Sequence, residues 1–87
     1  LKNTAINNWL ADLEGTNRTS PYDLVYLLAR VERGDLMSDA WRKKMRQIME
    51  RTKTRTLLPQ GLPAGAKIAH KTGDIGSMVG DTGVITT

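Results

Sequence analysis

Three consecutive residues, Lys71, Thr72 and Gly73, have the clearest chemical potential in this sequence. An ammonium group, a hydroxyl donor and a residue without a side chain together suit a substrate carboxylate that lies along an extended backbone. The next backbone N–H, that of Asp74, would then be free to donate to an oxyanion that develops on the substrate. The same tripeptide also occurs at polar hairpin corners, so its surroundings must decide between the two interpretations.

The residues on either side of the tripeptide predict two strands. Residues 66–72 and 78–87 are strand-like, and the glycine-rich run "GDIGS" between them predicts the turn of an antiparallel pair. An isolated two-stranded hairpin is barely stable in water. We therefore expect these strands to pack against other elements.

Two helices are predicted before the strands. Ser20 is a suitable N-cap, Pro21 suits the first helical position, and Gly34 ends the apolar stripe that follows. Ser38 caps a second helix, whose side opposite the apolar face is predicted to carry basic residues. The stripe of the first helix comprises Leu24, Leu27, Leu28 and Val31. The second helix has a predicted apolar face of Trp41, Met45, Ile48 and Met49, and a predicted polar side with Arg42, Lys43 and Arg46.

The remaining segments are less regular. Residues 1–15 have Ile6, Leu10 and Leu13 at helical spacing, but they are rich in Asn and Thr, so a helix and an irregular segment both stay open. The proline- and glycine-rich residues 52–66 predict a connection with at most a short helical turn.

Composition limits the kinds of site this chain can build. Its 87 residues contain no cysteine and a single histidine, so neither a disulfide framework nor a His/Cys metal cluster is available. No apolar run is long enough to predict a membrane span. The net charge of +4 is compatible with an anionic partner but identifies none.

Longer runs around the tripeptide resemble a known family. They are "SPYDLVYLLARVERGDLMS", "LLPQGLPAGAKIAHKTGDIG" and "VGDTGVI", with the G-L-P-A-G turn directly before the K-T-G strand. The sequence resembles the C-terminal part of the penicillin-recognising serine hydrolases, in particular the class A β-lactamase-like family, which gathers S-x-x-K, S-D-N and K-T-G motifs around one cleft. The resemblance covers nearly the whole chain. It implies a β-lactamase/transpeptidase-like α+β fold, here as helices followed by an antiparallel strand pair.

The resemblance also implies an organisation of the chain and roles for its residues. Residues 1–19 would be an omega-loop-like region, 20–52 two helices, 53–65 a connection, and 66–87 the K-T-G strand with its successor. Lys71 and Thr72 would bind the carboxylate of a penicillin or of a D-alanyl-D-alanine peptide. Gly73 would keep the strand open to substrate, and the Asp74 N–H would be one oxyanion-hole donor. No metal or organic cofactor is implied, and such enzymes work in the periplasm or elsewhere outside the cytoplasmic membrane.

Two family motifs are absent. None of Ser20, Ser38 and Ser77 has a lysine three positions later, and Ser38-Asp39-Ala40 is not S-D-N. Both motifs precede this region in the family. We therefore expect the catalytic serine, its lysine and the second serine to lie in an N-terminal part that is missing here, and we expect this chain alone to be inactive.

The omega-loop-like region departs from the class A pattern E-x-x-L-N. Counted back from Pro21, Asn8 falls at the asparagine and Thr4 at the glutamate. Threonine cannot act as the general base that releases the acyl-enzyme, so this departure favours a penicillin-binding D-alanyl-D-alanine carboxypeptidase. A class A β-lactamase is the alternative, because a loop shifted by one or two residues would remove the distinction.

Arg55, His70 and Asp81 are three further residues whose roles can be considered from the sequence. The strand after K-T-G lacks the arginine with which many β-lactamases also hold the substrate carboxylate. Arg55, in the connection, could substitute for it, although a solvated loop arginine is the simpler interpretation. His70 alternates with Lys71, which predicts a packed side chain on the opposite face of the strand, and Asp81 is interpreted as structural.

A basic run offers a different class of function, a nucleic-acid-binding module. On a helix, such charges could follow a phosphate backbone. The run has little aromatic interleaving for base stacking, and the charges are predicted opposite the apolar face, as on a solvated surface. Nucleic-acid binding is therefore the distant alternative. The run comprises Arg42, Lys43, Lys44, Arg46, Arg51, Lys53 and Arg55.

Overall fold

A computed structural model describes residues 1–87. Its elements are helix α1 (Pro21–Glu32), helix α2 (Asp39–Glu50), a 3-10 turn (Leu58–Gly61), and strands β1 (Lys67–Asp74) and β2 (Val79–Thr86). The two strands form one antiparallel sheet. The predicted order of two helices followed by an antiparallel strand pair is confirmed, as is the short helical turn in the connection.

The first 20 residues contain no helix, so the helical interpretation of residues 1–15 was wrong. Their only ladder contact is an isolated bridge between Ala5 and Arg18. The backbone N–H groups of Asn7 and Asn8 instead donate to Asn17 Oδ1, at 2.7 and 2.9 Å. Short amide side chains compete with the helical backbone pattern in this way, which explains why the apolar spacing did not produce a helix.

Helix α1 begins and ends at the predicted signals. Ser20 Oγ accepts a hydrogen bond from the Asp23 N–H (3.1 Å), and Pro21 occupies the first turn. After the helix, Gly34 takes a φ of +81° and its N–H donates to the Val31 carbonyl. Val31 is buried in the core, whereas Leu27 of the predicted stripe is exposed.

Helix α2 is rotated relative to the prediction. Met45 and Met49 are half-buried as expected, but Trp41 and Ile48 are 63% and 54% exposed. The Lys44 ammonium lies 5.5 Å from the centre of the Trp41 ring, which gives this exposed ring a cation–π partner. The placement of Trp41 and Ile48 on a buried face was therefore wrong.

The inward side of α2 includes two arginines that were predicted on its polar side. Arg42 and Arg46 are half-buried, and with Met45 and Met49 they line a cavity of about 10 Å³ between both helices and the sheet. Arg46 Nη1 donates to Glu32 Oε2 of α1 (3.1 Å), and Nη2 donates to the Thr86 hydroxyl of β2 (2.7 Å). An arginine can lay its aliphatic stem on apolar surface while its head finds partners, which explains the error.

The strand register fixes what each face of the sheet carries. His70 pairs with Gly83, Lys71 with Thr82, and Thr72 with Asp81. Because directly paired residues point to the same face and neighbours alternate, His70 and Asp81 share one face and Lys71 lies on the other. His70 is fully buried, so its predicted packing opposite Lys71 is confirmed.

Candidate functional site

Lys71, Thr72 and Gly73 lie together at the turn end of β1 and line an open groove. The groove has a volume of about 390 Å³ and lies between the hairpin and the start of α1. From outside the hairpin, Thr19 and Leu24 contribute to its wall; Lys71, Thr72, Gly73, Asp74, Ile75, Met78, Gly80, Asp81 and Thr82 complete the lining. The structure thus brings the four residues of the predicted strand-end site to one concave surface.

The Lys71 side chain presents an unneutralised cation to this surface. It is exposed, forms no salt bridge, and donates its Nζ to the backbone carbonyl of Thr72. A carboxylate is a better partner for an ammonium than an exposed carbonyl, since charge-assisted hydrogen bonds are about twice as strong as neutral ones. An anionic ligand in the groove would therefore displace this internal contact.

The outer edge of β1 carries the Asp74 N–H. The Ile75 N–H donates across the hairpin to the Met78 carbonyl (3.0 Å), so this backbone N–H points toward β2. Successive residues of a strand direct their N–H groups to opposite edges, which places the Asp74 N–H on the unpaired edge. On the same edge, the His70 carbonyl accepts from Thr52 Oγ1 (2.7 Å). This direction is the one that an oxyanion donor on β1 would need; the role itself stays a prediction.

The Asp74 side chain stabilises the turn. Its Oδ1 accepts from the Gly76 N–H (2.8 Å), and Gly76 has a φ of +86°, which favours glycine. This contact fixes the chain immediately after the tripeptide. It also explains why an acidic residue and a glycine two positions later occur in the predicted turn.

On the face of the sheet opposite Lys71 lies a buried acid–histidine contact. Both carboxylate oxygens of Asp81 are 2.9 Å from His70 Nδ1, and the Asp81 side chain is 3% exposed. Oδ2 of Asp81 also accepts from the Leu58 N–H (3.2 Å). Alternation predicted that His70 lies inside, but the pairing with Asp81 was not predicted.

The omega-loop-like region, residues 1–19, meets the groove through Thr19, which Thr4 contacts. Thr4 Oγ1 donates to Asp23 Oδ2 (2.5 Å) and lies 2.9 Å from the hydroxyl of Thr19, which lines the groove. Asp23 is buried and also accepts from the Asn3 N–H (2.9 Å). Sequence reasoning did not predict that the Asp23 carboxylate anchors this loop.

Asn8 lies outside the groove and belongs to a separate polar cluster. Its Nδ2 donates weakly to Asp12 Oδ1 (3.4 Å), and its carbonyl accepts from Asn17 Nδ2 (3.1 Å). Asp12 also accepts from the Thr16 hydroxyl (2.6 Å) and the Asn17 N–H (2.7 Å). The hydrogen bond from the Thr16 hydroxyl, followed by that from the Asn17 N–H, lowers the pKa of the Asp12 carboxyl below its ordinary value of 3.8.

Arg55 and the three serines do not contribute side chains to the groove. The Arg55 carbonyl accepts from Gln60 Nε2 (3.0 Å), and its guanidinium forms no salt bridge, so its predicted role in substrate binding stays a prediction. Ser20 and Ser38 cap the two helices. No three His, Cys, Asp or Glu side chains are grouped as a metal site would require, and neither helix is long and apolar enough to cross a membrane.

Comparisons with known proteins agree with this geometry. A family model described as the β-lactamase enzyme family matches residues 1–87. The solved structure of a leucine-to-glutamate variant of PBP-A, in an acyl-enzyme complex with penicillin G, is 52% identical with a TM-score of 0.95. The match covers 100% of this chain and 33% of that one.

A second structure, of PBP-A itself, is also 52% identical, with a TM-score of 0.92 over 97% of this chain and 32% of that one. This chain therefore spans about a third of the length of the solved chains it matches. A search of curated protein sequences returned no significant match. The fold is that of the β-lactamases and transpeptidases, and the chain belongs to the β-lactamase enzyme family.

Proposed function

We propose that this chain is the K-T-G strand region of a penicillin-recognising serine enzyme that acts on D-alanyl-D-alanine peptides. The observation that carries the proposal is the unneutralised ammonium of Lys71 beside Thr72, at the end of a strand whose outer edge carries the Asp74 N–H. A carboxylate and an adjacent reacting carbonyl are the two features of a β-lactam or an acyl-D-alanine that such a surface would recognise.

In this proposal the substrate extends along the outer edge of β1. Its carboxylate accepts from the Lys71 ammonium and the Thr72 hydroxyl, and its carbonyl oxygen accepts from the Asp74 N–H. A serine from the rest of the enzyme attacks that carbonyl and expels the amine, either D-alanine or the β-lactam nitrogen, which takes up a proton. The resulting acyl-enzyme is then hydrolysed by water.

Thr4 supports a carboxypeptidase over a β-lactamase. Its hydroxyl is held by Asp23 Oδ2 and by Thr19, and a hydroxyl in that position has no basicity with which to activate water. Slow release of the acyl group follows, as expected for a penicillin-binding peptidase. PBP-A, whose variant is described as an acyl-enzyme with penicillin G, supports acylation as the shared step.

The same proposal includes the organisation and the location of the enzyme. Residues 1–19 form the omega-loop-like region, 20–52 two helices, 53–65 the connection, and 66–87 the K-T-G strand and its successor. The serine motifs belong to the rest of the enzyme. Its substrate, the peptidoglycan stem peptide, lies outside the cytoplasmic membrane.

The experiment is an intact-mass time course with penicillin G on the full-length enzyme that contains this region. An adduct of the mass of penicillin that persists for hours, together with release of D-alanine from a D-alanyl-D-alanine peptide, supports the carboxypeptidase. An adduct that is lost within seconds, with turnover of the antibiotic, replaces it with the β-lactamase. Absence of any adduct overturns acylation, and with it the proposed function.

A further inference from the structure

The His70–Asp81 pair, defined by the contact of His70 Nδ1 with the Asp81 carboxylate, has no part in the proposed reaction. It is nevertheless the most deeply buried polar group of the chain: His70 is 0% exposed and the Asp81 side chain is 3% exposed. Replacing a buried ion pair by apolar residues of similar volume is often neutral or stabilising, so stability alone does not explain the pair. We propose that this pair positions the K-T-G strand for acylation.

The hydrogen-bond network assigns the tautomer of His70. A carboxylate only accepts, so Nδ1 carries the proton and donates to Asp81. Nε2 is buried and has no hydrogen-bond partner. The contact with Asp81 therefore requires the proton on Nδ1.

The pair joins three segments of the chain behind the groove. Asp81 lies on β2, His70 lies on β1, and the Leu58 N–H of the connection donates to Asp81 Oδ2 at 3.2 Å. A second contact reaches β1 directly, from the Thr52 hydroxyl to the His70 carbonyl at 2.7 Å. These bonds tie the connection to both strands of the hairpin.

The His70–Asp81 pair is directly adjacent to residues that line the groove. Lys71 follows His70 directly, and Thr72 is paired with Asp81, which itself lines the groove. A change in the His70–Asp81 distance therefore moves the Lys71 ammonium and the outer-edge N–H of Asp74 together. Misplacement of reacting groups by about 1 Å can lower a rate by about 100-fold. His70 and Asp81 are thus positioning residues rather than catalytic ones.

The test uses a matched pair of variants in the full-length enzyme, with penicillin G as the probe, and it rests on the proposed function. In His70→Asn the side-chain amide nitrogen occupies the place of Nδ1 and can still donate to Asp81. In His70→Gln the amide is one bond too far along. We expect His70→Asn to retain acylation within about threefold of the native rate, and His70→Gln to lose about 100-fold in acylation, because the displaced Lys71 ammonium and Asp74 N–H serve the carboxylate and the reacting carbonyl.

Equal acylation in the two variants, with both folded by circular dichroism, would show that the pair only stabilises the fold. A native enzyme that penicillin G does not acylate would instead refute the proposed function. Should both variants fail to fold, the ¹⁵N spectrum of the His70 imidazole in the native protein at neutral pH decides the inference. A proton on Nδ1 supports the contact with Asp81 on which the inference depends, and an Nδ1 without a proton overturns it.

Discussion

The hairpin and the omega-loop-like region hold their residues by different means. In the hairpin, Lys71 and Thr72 are placed by the strand register, and the buried side chains of Ile68 and His70 fix the strand from behind. In residues 1–19, a few carboxylate and amide side chains hold the loop, and its apolar residues face outward. Ile6, Trp9 and Leu10 are 86%, 89% and 93% exposed. Substitutions in residues 1–19 should therefore change the position of Lys71 and Thr72 little, whereas loss of one polar contact in residues 1–19 should change the structure of the loop itself.

The largest expected effect comes from removing the cation of the hairpin. Lys71→Ala in the full-length enzyme should slow acylation by penicillin G by about 100-fold, because the substrate carboxylate loses a charge-assisted hydrogen bond worth up to about 3 kcal/mol. Lys67→Ala is the matched control, since Lys67 is an exposed lysine at the far end of the same strand. Stopped-flow acylation measures both. Equal rates for Lys71→Ala and the native enzyme would remove Lys71 from the site.

The next effect tests how tightly the hairpin is packed behind the groove. In Gly83→Ala, the new Cβ would lie 2.5 Å from the Ala69 carbonyl oxygen and 2.7 Å from His70 Cβ. Backbone atoms cannot move aside as the end of a flexible side chain can, so the free energy of unfolding should fall by about 1–3 kcal/mol. Gly80→Ala, on the same strand, meets nothing within 4 Å and is the control. Denaturant unfolding that shows the same loss for both variants would contradict the close approach of the strands at Gly83.

The two regions also differ in how much the sequence predicts. Alternation placed His70 inside, and the cap signals at Ser20 and Ser38 were sufficient because each involves a residue three positions away. Arg46 was misplaced because its partners, Glu32 and Thr86, lie 14 and 40 residues away. Contacts between residues so far apart in sequence depend on tertiary packing, and the hydrophobic periodicity of a single helix does not predict them.

The same limit applies to the site. The K-T-G residues could be assigned to one strand end from the motif and the turn, and the structure places them on one groove. Asp81 was interpreted as structural, but the partners of the carboxylates that support the site were not predicted. Asp23 meets Thr4 across 19 residues, and Asp81 meets His70 only because the register sets them diagonally across the strands.

The smallest effect concerns the polar cluster of the loop and depends on pH. Because the Asp12 pKa is lowered in the folded protein, the stability that its ionised form contributes is complete above the ordinary value of 3.8 and is lost as the pH falls through the lowered value. The hydrogen-exchange protection of the Thr16 and Asn17 amides, which donate to Asp12, should therefore fall below pH 3.8, before protection falls in β1.

Thr16→Ala sharpens this test, because it removes the largest cause of the lowered pKa. A carboxyl ¹³C titration should then show the Asp12 pKa moving up toward its ordinary value. Thr19→Ala is the control, since the Thr19 hydroxyl contacts Thr4 and not Asp12. If the loop amides and the β1 amides lost protection at the same pH, the loop would share the cooperative unit of the hairpin. The loop and the hairpin would then be held together by more than the contacts of Thr4 and Asp23.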